Sequence, residues 1–176
     1  SNGFPPDRCG SKNIFDADCL GRMLPIALFY CTEPTETIVT NAHRACSITH
    51  ALIADQVICS LYCLIVRNLI LQRAEKVFEV LEHYYIEQEM NSHANYLSGE
   101  MKNRKSNQFQ FPAKICFWSA WKAFSKNEND YSFTVSDAIK FGDDKNAVGA
   151  VAGSIGALNN GLNDIPSKWL RTLQLT

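Results

Sequence analysis

The stretch Ala51–Leu71 (ALIADQVICSLYCLIVRNLIL) constrains this chain more than any other. It has the length of a membrane-spanning helix. Asp55, Gln56, Arg67 and Asn68 interrupt it, however, and ionised groups at membrane depth are costly. Val57, Leu61, Leu64, Ile65 and Leu69 recur at helical spacing. The pattern predicts a central buried helix and no membrane span.

The surrounding sequence reads as helix after helix. Residues 1–19 have no sustained period and read as a loop. Leu20–Tyr30 is a short apolar helix in which Pro25 falls early or marks a kink. Thr32-Glu33-Pro34 resembles a helix start, and Ile38, Ala42, Ala45 and Ile48 then give one apolar face up to Thr49-His50. Arg73–Met90 carries Val77, Phe78, Leu81, Tyr84 and Tyr85 on a single face. Asn91–Gln110, with Lys102, Arg104 and Lys105, has little apolar periodicity and reads as an exposed, solvated connection.

Pro112 opens a helix over Ala113–Ser125 with Ile115, Trp118, Trp121 and Phe124 as its packing side. Lys126–Asp130 is a turn. Tyr131–Phe141, Asn146–Leu162 and Ser167–Leu173 are three further helices. No strand alternation or hairpin signal is strong. The fold class is all-α, and 176 residues suit a single domain over 1–176.

Charge narrows the function classes. With 17 basic against 18 acidic side chains, the chain lacks the charge for a bulk electrostatic grip on nucleic acid. Seven cysteines occur without any C-x-x-C, and the closest pair, Cys59 and Cys63, shares one helical face inside the apolar run. The closest histidine, His50, is nine residues before Cys59, so the expected role is that of small buried hydrophobes. An odd, scattered set of thiols suggests a reducing compartment and hence the cytoplasm. The first residues lack a basic region followed by an apolar stretch, so no signal peptide is expected.

The segment Ala138–Leu173 is the most informative. Gly149, Gly153 and Gly156 form a bare stripe at helical spacing, which lets another helix approach closely. Each glycine costs about 1 kcal/mol against alanine, so close packing must compensate. Upstream, Gly142-Asp143-Asp144-Lys145-Asn146 places oxygens at a helix start. Asp144 and Asn146 suit either an N-cap or hard-oxygen ligation of a metal ion.

These residues resemble the C-terminal signature of the ADP-ribosylglycohydrolase family, G-x-D-T-D-T, then a small-residue helix, then I-P-x-x-W. The same slots here read Gly142-Asp143-Asp144-Lys145-Asn146-Ala147, then Ala150-Val151-Ala152-Gly153, then Ile165-Pro166-Ser167-Lys168-Trp169. The family's loop and helix G-N-G-S-L-x-R-x-x-P is matched by Asp16-Ala17-Asp18-Cys19-Leu20-Gly21-Arg22-Met23-Leu24-Pro25. Its later Thr-His before a long helix resembles Thr49-His50.

The resemblance implies a compact helical fold and hydrolysis of the bond joining ADP-ribose to an acceptor, assisted by two Mg²⁺ or Mn²⁺ ions. It implies metal ligation at Asp144 and Asn146, ligand contact at His50 and Cys19, and ADP-ribose or an ADP-ribosylated protein as partner. A histidine bridging two helices is the alternative for His50, and an ion-pair partner the alternative for Arg22.

Three departures qualify that reading. No Thr-Asp-Asp string, the family's other ligand segment, occurs in the chain. About a hundred residues of the usual domain are then expected to be missing. Asn146, Lys145 and Ala147 replace Asp and two Thr, and a lysine at ~5 Å from a dication is repelled by several kcal/mol at an effective dielectric of about 20. In the loop, Asp16 and Asp18 stand where glycines would admit a diphosphate, which carboxylates would repel. The expectation is an impaired enzyme with no assigned catalytic residue. The alternatives are a non-catalytic ADP-ribose-binding or interaction module, and one half of a split enzyme completed by a partner chain.

Overall fold

The structure is a computed structural model and describes residues 9–101 and 111–173. The chain divides into two compact units, Ser1–Ile115 and Cys116–Thr176. Among the described residues every regular element is helical, and a lone bridge between Ser11 and His50 is the nearest approach to a strand.

In the first unit, α1 (Asp18–Gly21) and α2 (Met23–Phe29) replace the single helix expected over Leu20–Tyr30, with a break at Arg22. Pro25 lies in the first turn of α2, where its missing N–H has no helical partner to lose. Helix α3 (Thr35–Ser47) follows Pro34 and buries Ile38, Val39, Ala42 and Cys46. Ala45 is only half-buried and Ile48 is exposed, because Ile48 falls just past the last helical residue and leaves the expected face.

Helix α4 (Ile53–Leu71) is the hub of this unit and packs against α1, α2, α3, α5 and α6. Its length and composition would also cross a membrane, but most of its surface is buried within the protein. The polar residues that interrupt it are mostly partnered. Arg67 donates to Glu75 Oε2 at 2.8 Å and to Thr35 Oγ1 at 3.2 Å, and Asn68 Nδ2 donates to the Glu75 carbonyl at 2.9 Å. Gln56 donates to Ser47 Oγ at 2.9 Å and pairs with His93 Nε2 at 2.8 Å. Asp55 is 3% exposed, and its Oδ2, like Arg67 Nε and Asn68 Oδ1, has no hydrogen-bond partner among the described residues.

Helix α5 (Val77–Glu87) begins later than the expected Arg73 because Gln72, at φ 51°, ends α4 in a left-handed cap. Asn91–Gln110 corrects the expected exposed connection in its first part. Helix α6 (Asn91–Tyr96) and a π-helical turn (Leu97–Met101) bury Ala94, Leu97 and Met101. These residues do fall three and four apart, but three of them over less than three turns are too few to stand out among their polar neighbours. His93 on α6 also stacks on His43 with ring centroids 5.1 Å apart. His43 meets the Tyr85 hydroxyl at 2.9 Å, and burial together with His93 pushes it down to about 3, so it is neutral. Lys102, Arg104 and Lys105 lie outside the described residues.

Helix α7 (Pro112–Lys126) buries Ala113, Cys116, Phe117, Ala120, Ala123 and Phe124. Its buried side is therefore rotated from the expected one, and Trp118 and Trp121 are half-buried. Their rings lie against Phe117 and Phe124 at 5.3 and 5.6 Å.

In the second unit α8 (Tyr131–Phe141) packs along α9 (Lys145–Asn160), followed by a 3₁₀ turn (Leu162–Asp164) and α10 (Ser167–Thr172). The glycine stripe seats α8. A Cβ on Gly153 would stand 3.1 Å from the Tyr131 hydroxyl, and one on Gly156 would stand 3.2 Å from the Tyr131 ring. Asp130 caps α8 by accepting from Phe133 N at 2.9 Å, and Gly161, at φ 82°, ends α9.

Candidate functional site

The loop before α1 is laid against the turn that joins α3 to α4. Ser11 N donates to the Thr49 carbonyl at 2.8 Å and Ala51 N donates to the Ser11 carbonyl at 3.2 Å. Gly10 allows this, since a Cβ there would stand 2.6 Å from the Ser47 carbonyl oxygen. The loop then brings Asp16 over His50.

A hydrogen-bonded chain results. Arg22 Nη2 donates to Thr49 Oγ1 at 2.8 Å, Thr49 Oγ1 meets His50 Nδ1 at 2.6 Å, and His50 Nε2 meets Asp16 Oδ1 at 2.9 Å. Arginine only donates, so the Thr49 hydroxyl hydrogen is free to serve Nδ1. In the neutral imidazole Nε2 then carries the proton and gives it to Asp16. His50 is 1% exposed, whereas the Asp16 side chain is 44% exposed. Asp16 Oδ1 also accepts from Asp18 N at 2.9 Å, which fixes the start of α1. The family resemblance implies ligand contact at His50 and Cys19. The structure brings both into the same region of the first unit, with His50 bridging the loop and the α3–α4 turn.

Cys19 does not face an open loop. It is fully buried, and its Sγ lies within 4.8 Å of those of Cys46 and Cys59. The hydrogen it gives to Cys46 raises it to about 12. Cys46 is lowered to about 5 by the S–H groups of Cys19 and Cys59 donating to its sulfur. Burial, then those same neighbours, push Cys59 well up. Asp55, one turn before Cys59, is raised to about 7 by burial and by Cys19. Sequence spacing paired Cys59 with Cys63 instead. Cys63 in fact points its thiol at the Met23 carbonyl, 3.8 Å away. Three thiols on three separate elements leave no spacing signature, so nothing in the sequence could have grouped them.

In the second unit Asp144 is the N-cap of α9. Its Oδ1 accepts from Asn146 N and Ala147 N, each at 3.0 Å. Lys145 Nζ turns back to the Ile139 carbonyl at 2.9 Å, at the end of α8, and Asn146 is exposed. Two hard dications need many oxygens between them, roughly six or more each, several from shared carboxylates. This segment supplies the carboxylates of Asp143 and Asp144, a neutral Asn146 amide and a cation. That donor set does not fit a pair of hard ions, and it does fit a capped helix.

A family model described as ADP-ribosylglycohydrolase matches residues 1–176, and the chain belongs to that family. Neither a curated protein nor a solved structure matches it. Members of the family generally use metal ions.

Proposed function

We propose that this chain is an ADP-ribosylglycohydrolase-like protein that does not cleave ADP-ribose linkages with its own residues. The observation that carries this reading is the commitment of Asp144 to α9. Its Oδ1 serves two backbone N–H groups, while the following slots hold Lys145 and Asn146. Cleavage at an anomeric carbon needs a positioned water and an acid or cation to receive the leaving oxygen. Asp144 alone supplies neither pair of roles. The test is release of ADP-ribose from a modified protein at high concentration of this chain with Mg²⁺ or Mn²⁺. No release above the blank is expected, and metal-dependent release contradicts the proposal.

A second reading, retention of ADP-ribose binding without turnover, is supported by the intact Arg22–Thr49–His50 frame in the slots that match the family motifs. That frame holds the imidazole in one orientation beside the loop. Calorimetric titration with ADP-ribose separates the two. Binding gives saturable heat that His50→Ala removes, and an inert scaffold gives only dilution heat.

A further inference from the structure

Three thiols from three elements converge in the core of the first unit: Cys19 on α1, Cys46 in the last turn of α3 and Cys59 on α4. All three are fully buried and their sulfurs lie within 4.8 Å of one another. We propose that they form a binding site for one soft, thiophilic cation of the cuprous class, held by three sulfurs and no other ligand.

The geometry is close to what such an ion needs. A triangle of that side places each sulfur at most about 2.8 Å from its centre, against a metal–sulfur bond of about 2.3 Å. Small side-chain rotations close the difference. Thiolates select soft ions such as Cu(I) and Zn²⁺ over Mg²⁺ or Ca²⁺. Zinc requires a fourth donor, and the nearby candidate is engaged: His50 uses Nδ1 on Thr49 and Nε2 on Asp16. Asp55 does not come within the same radius of the three sulfurs. A three-coordinate cuprous ion needs neither.

A second observation points the same way. Asp55 presents a buried oxygen without a hydrogen-bond partner among the described residues, and it interacts electrostatically with both Cys19 and Cys46. A carboxylate beside three thiols is a poor hydrophobic core but a favourable field for a cation. Cys46 Sγ donates to the His50 carbonyl at 3.7 Å, so each of the three sulfurs carries a hydrogen. Binding exchanges those hydrogens for the metal: one cation enters, three protons leave, and no electron is transferred.

The experiment uses the full chain, reduced and anaerobic, in a Cys9→Ser/Cys31→Ser background that removes the two thiols outside the core. Cu(I) is titrated against a chromophoric cuprous chelator, with Zn²⁺ titrated separately, and the metal shell is read by X-ray absorption. One tight equivalent of Cu(I) in a sulfur-only shell is expected. Binding at least about tenfold weaker is expected in Cys19→Ala and in Cys59→Ala. Cys63→Ala, equally buried on α4, should bind as the parent does. Circular dichroism checks each fold, and Cys19→Ala on its one-turn helix decides the matter if the Cys59 variant unfolds. No tight equivalent in the parent overturns the proposal. So does undiminished binding in Cys19→Ala, or a shell with nitrogen or oxygen that Zn²⁺ fills in preference to Cu(I).

Discussion

His50 Nε2 stands 2.9 Å from Asp16 Oδ1, and this one contact ties the loop before α1 to the turn between α3 and α4. The imidazole is buried and the carboxylate is partly exposed. Asp16 stands where the resembled motif has glycine, and it serves here as an internal hydrogen-bond acceptor. Replacing Asp16 by alanine leaves a buried N–H without an acceptor, at a cost of about 1–2 kcal/mol. Urea denaturation should show that loss in Asp16→Ala and much less of it in Asp16→Asn, whose carbonyl oxygen still accepts.

Two glycines of the second unit should respond in opposite directions. A Cβ on Gly142 collides with the Val148 side chain, so Gly142→Ala should destabilise by about 1–3 kcal/mol through overpacking. At Gly149 the nearest neighbour is Ile139 at 3.6 Å, an ordinary contact. Gly149→Ala should therefore stabilise by up to about 1 kcal/mol from helix propensity. Melting temperatures of the two variants test the contrast.

Asp55 makes stability depend on pH with a definite sign. Its carboxyl is raised from an ordinary 3.8 to about 7, first by burial and then by Cys19. The folded state therefore binds a proton that the unfolded chain has lost across that window. Its favourable contribution is complete below about pH 4 and disappears as pH rises through 7. Asp55→Asn, which cannot ionise, should be more stable than the parent at pH 8 by on the order of 2–4 kcal/mol. The two should converge near pH 4, and parallel denaturant curves at both pH values would show it.

Asp137 works in the opposite sense. Lys126, Lys140 and Asn127 donate to its carboxylate and hold it down to about 2. The contribution is present above the ordinary value of 3.8 and is lost as pH falls through about 2. Asp137→Asn should lower the melting temperature at pH 7, and the difference should shrink towards pH 2.

The sequence made the longer helices legible by apolar runs and spacing, even in α4, which is buried on every side from Val57 to Arg67. Val57, Leu61, Leu64, Ile65 and Leu69 mark α4 over more than three turns, and the Tyr131–Phe141 helix was placed after the Lys126–Asp130 turn. Periodicity failed where an element was short. Ala94, Leu97 and Met101 are too few to stand out among polar neighbours, and on α7 the large tryptophans drew attention from the small Ala113, Ala120 and Ala123 that are buried. His50 and Cys19 in the first unit, and Asp144 in the second, could each be singled out by a motif slot. The His50 partner Asp16 and the Cys19 partners Cys46 and Cys59 could not, since those meetings depend on how the loop and three helices pack.

Asp144 serves the α9 cap, and the proposal that it does not support cleavage rests on that commitment. It is tested most directly by incubating ADP-ribosylated protein with this chain in stoichiometric excess and Mg²⁺ or Mn²⁺, beside Asp144→Ala, and measuring released ADP-ribose. The account predicts no release above the blank from either protein, with Asp144→Ala losing only melting temperature, by an amount matching a lost cap of about 1 kcal/mol. Metal-dependent release by the parent that disappears in Asp144→Ala would contradict it.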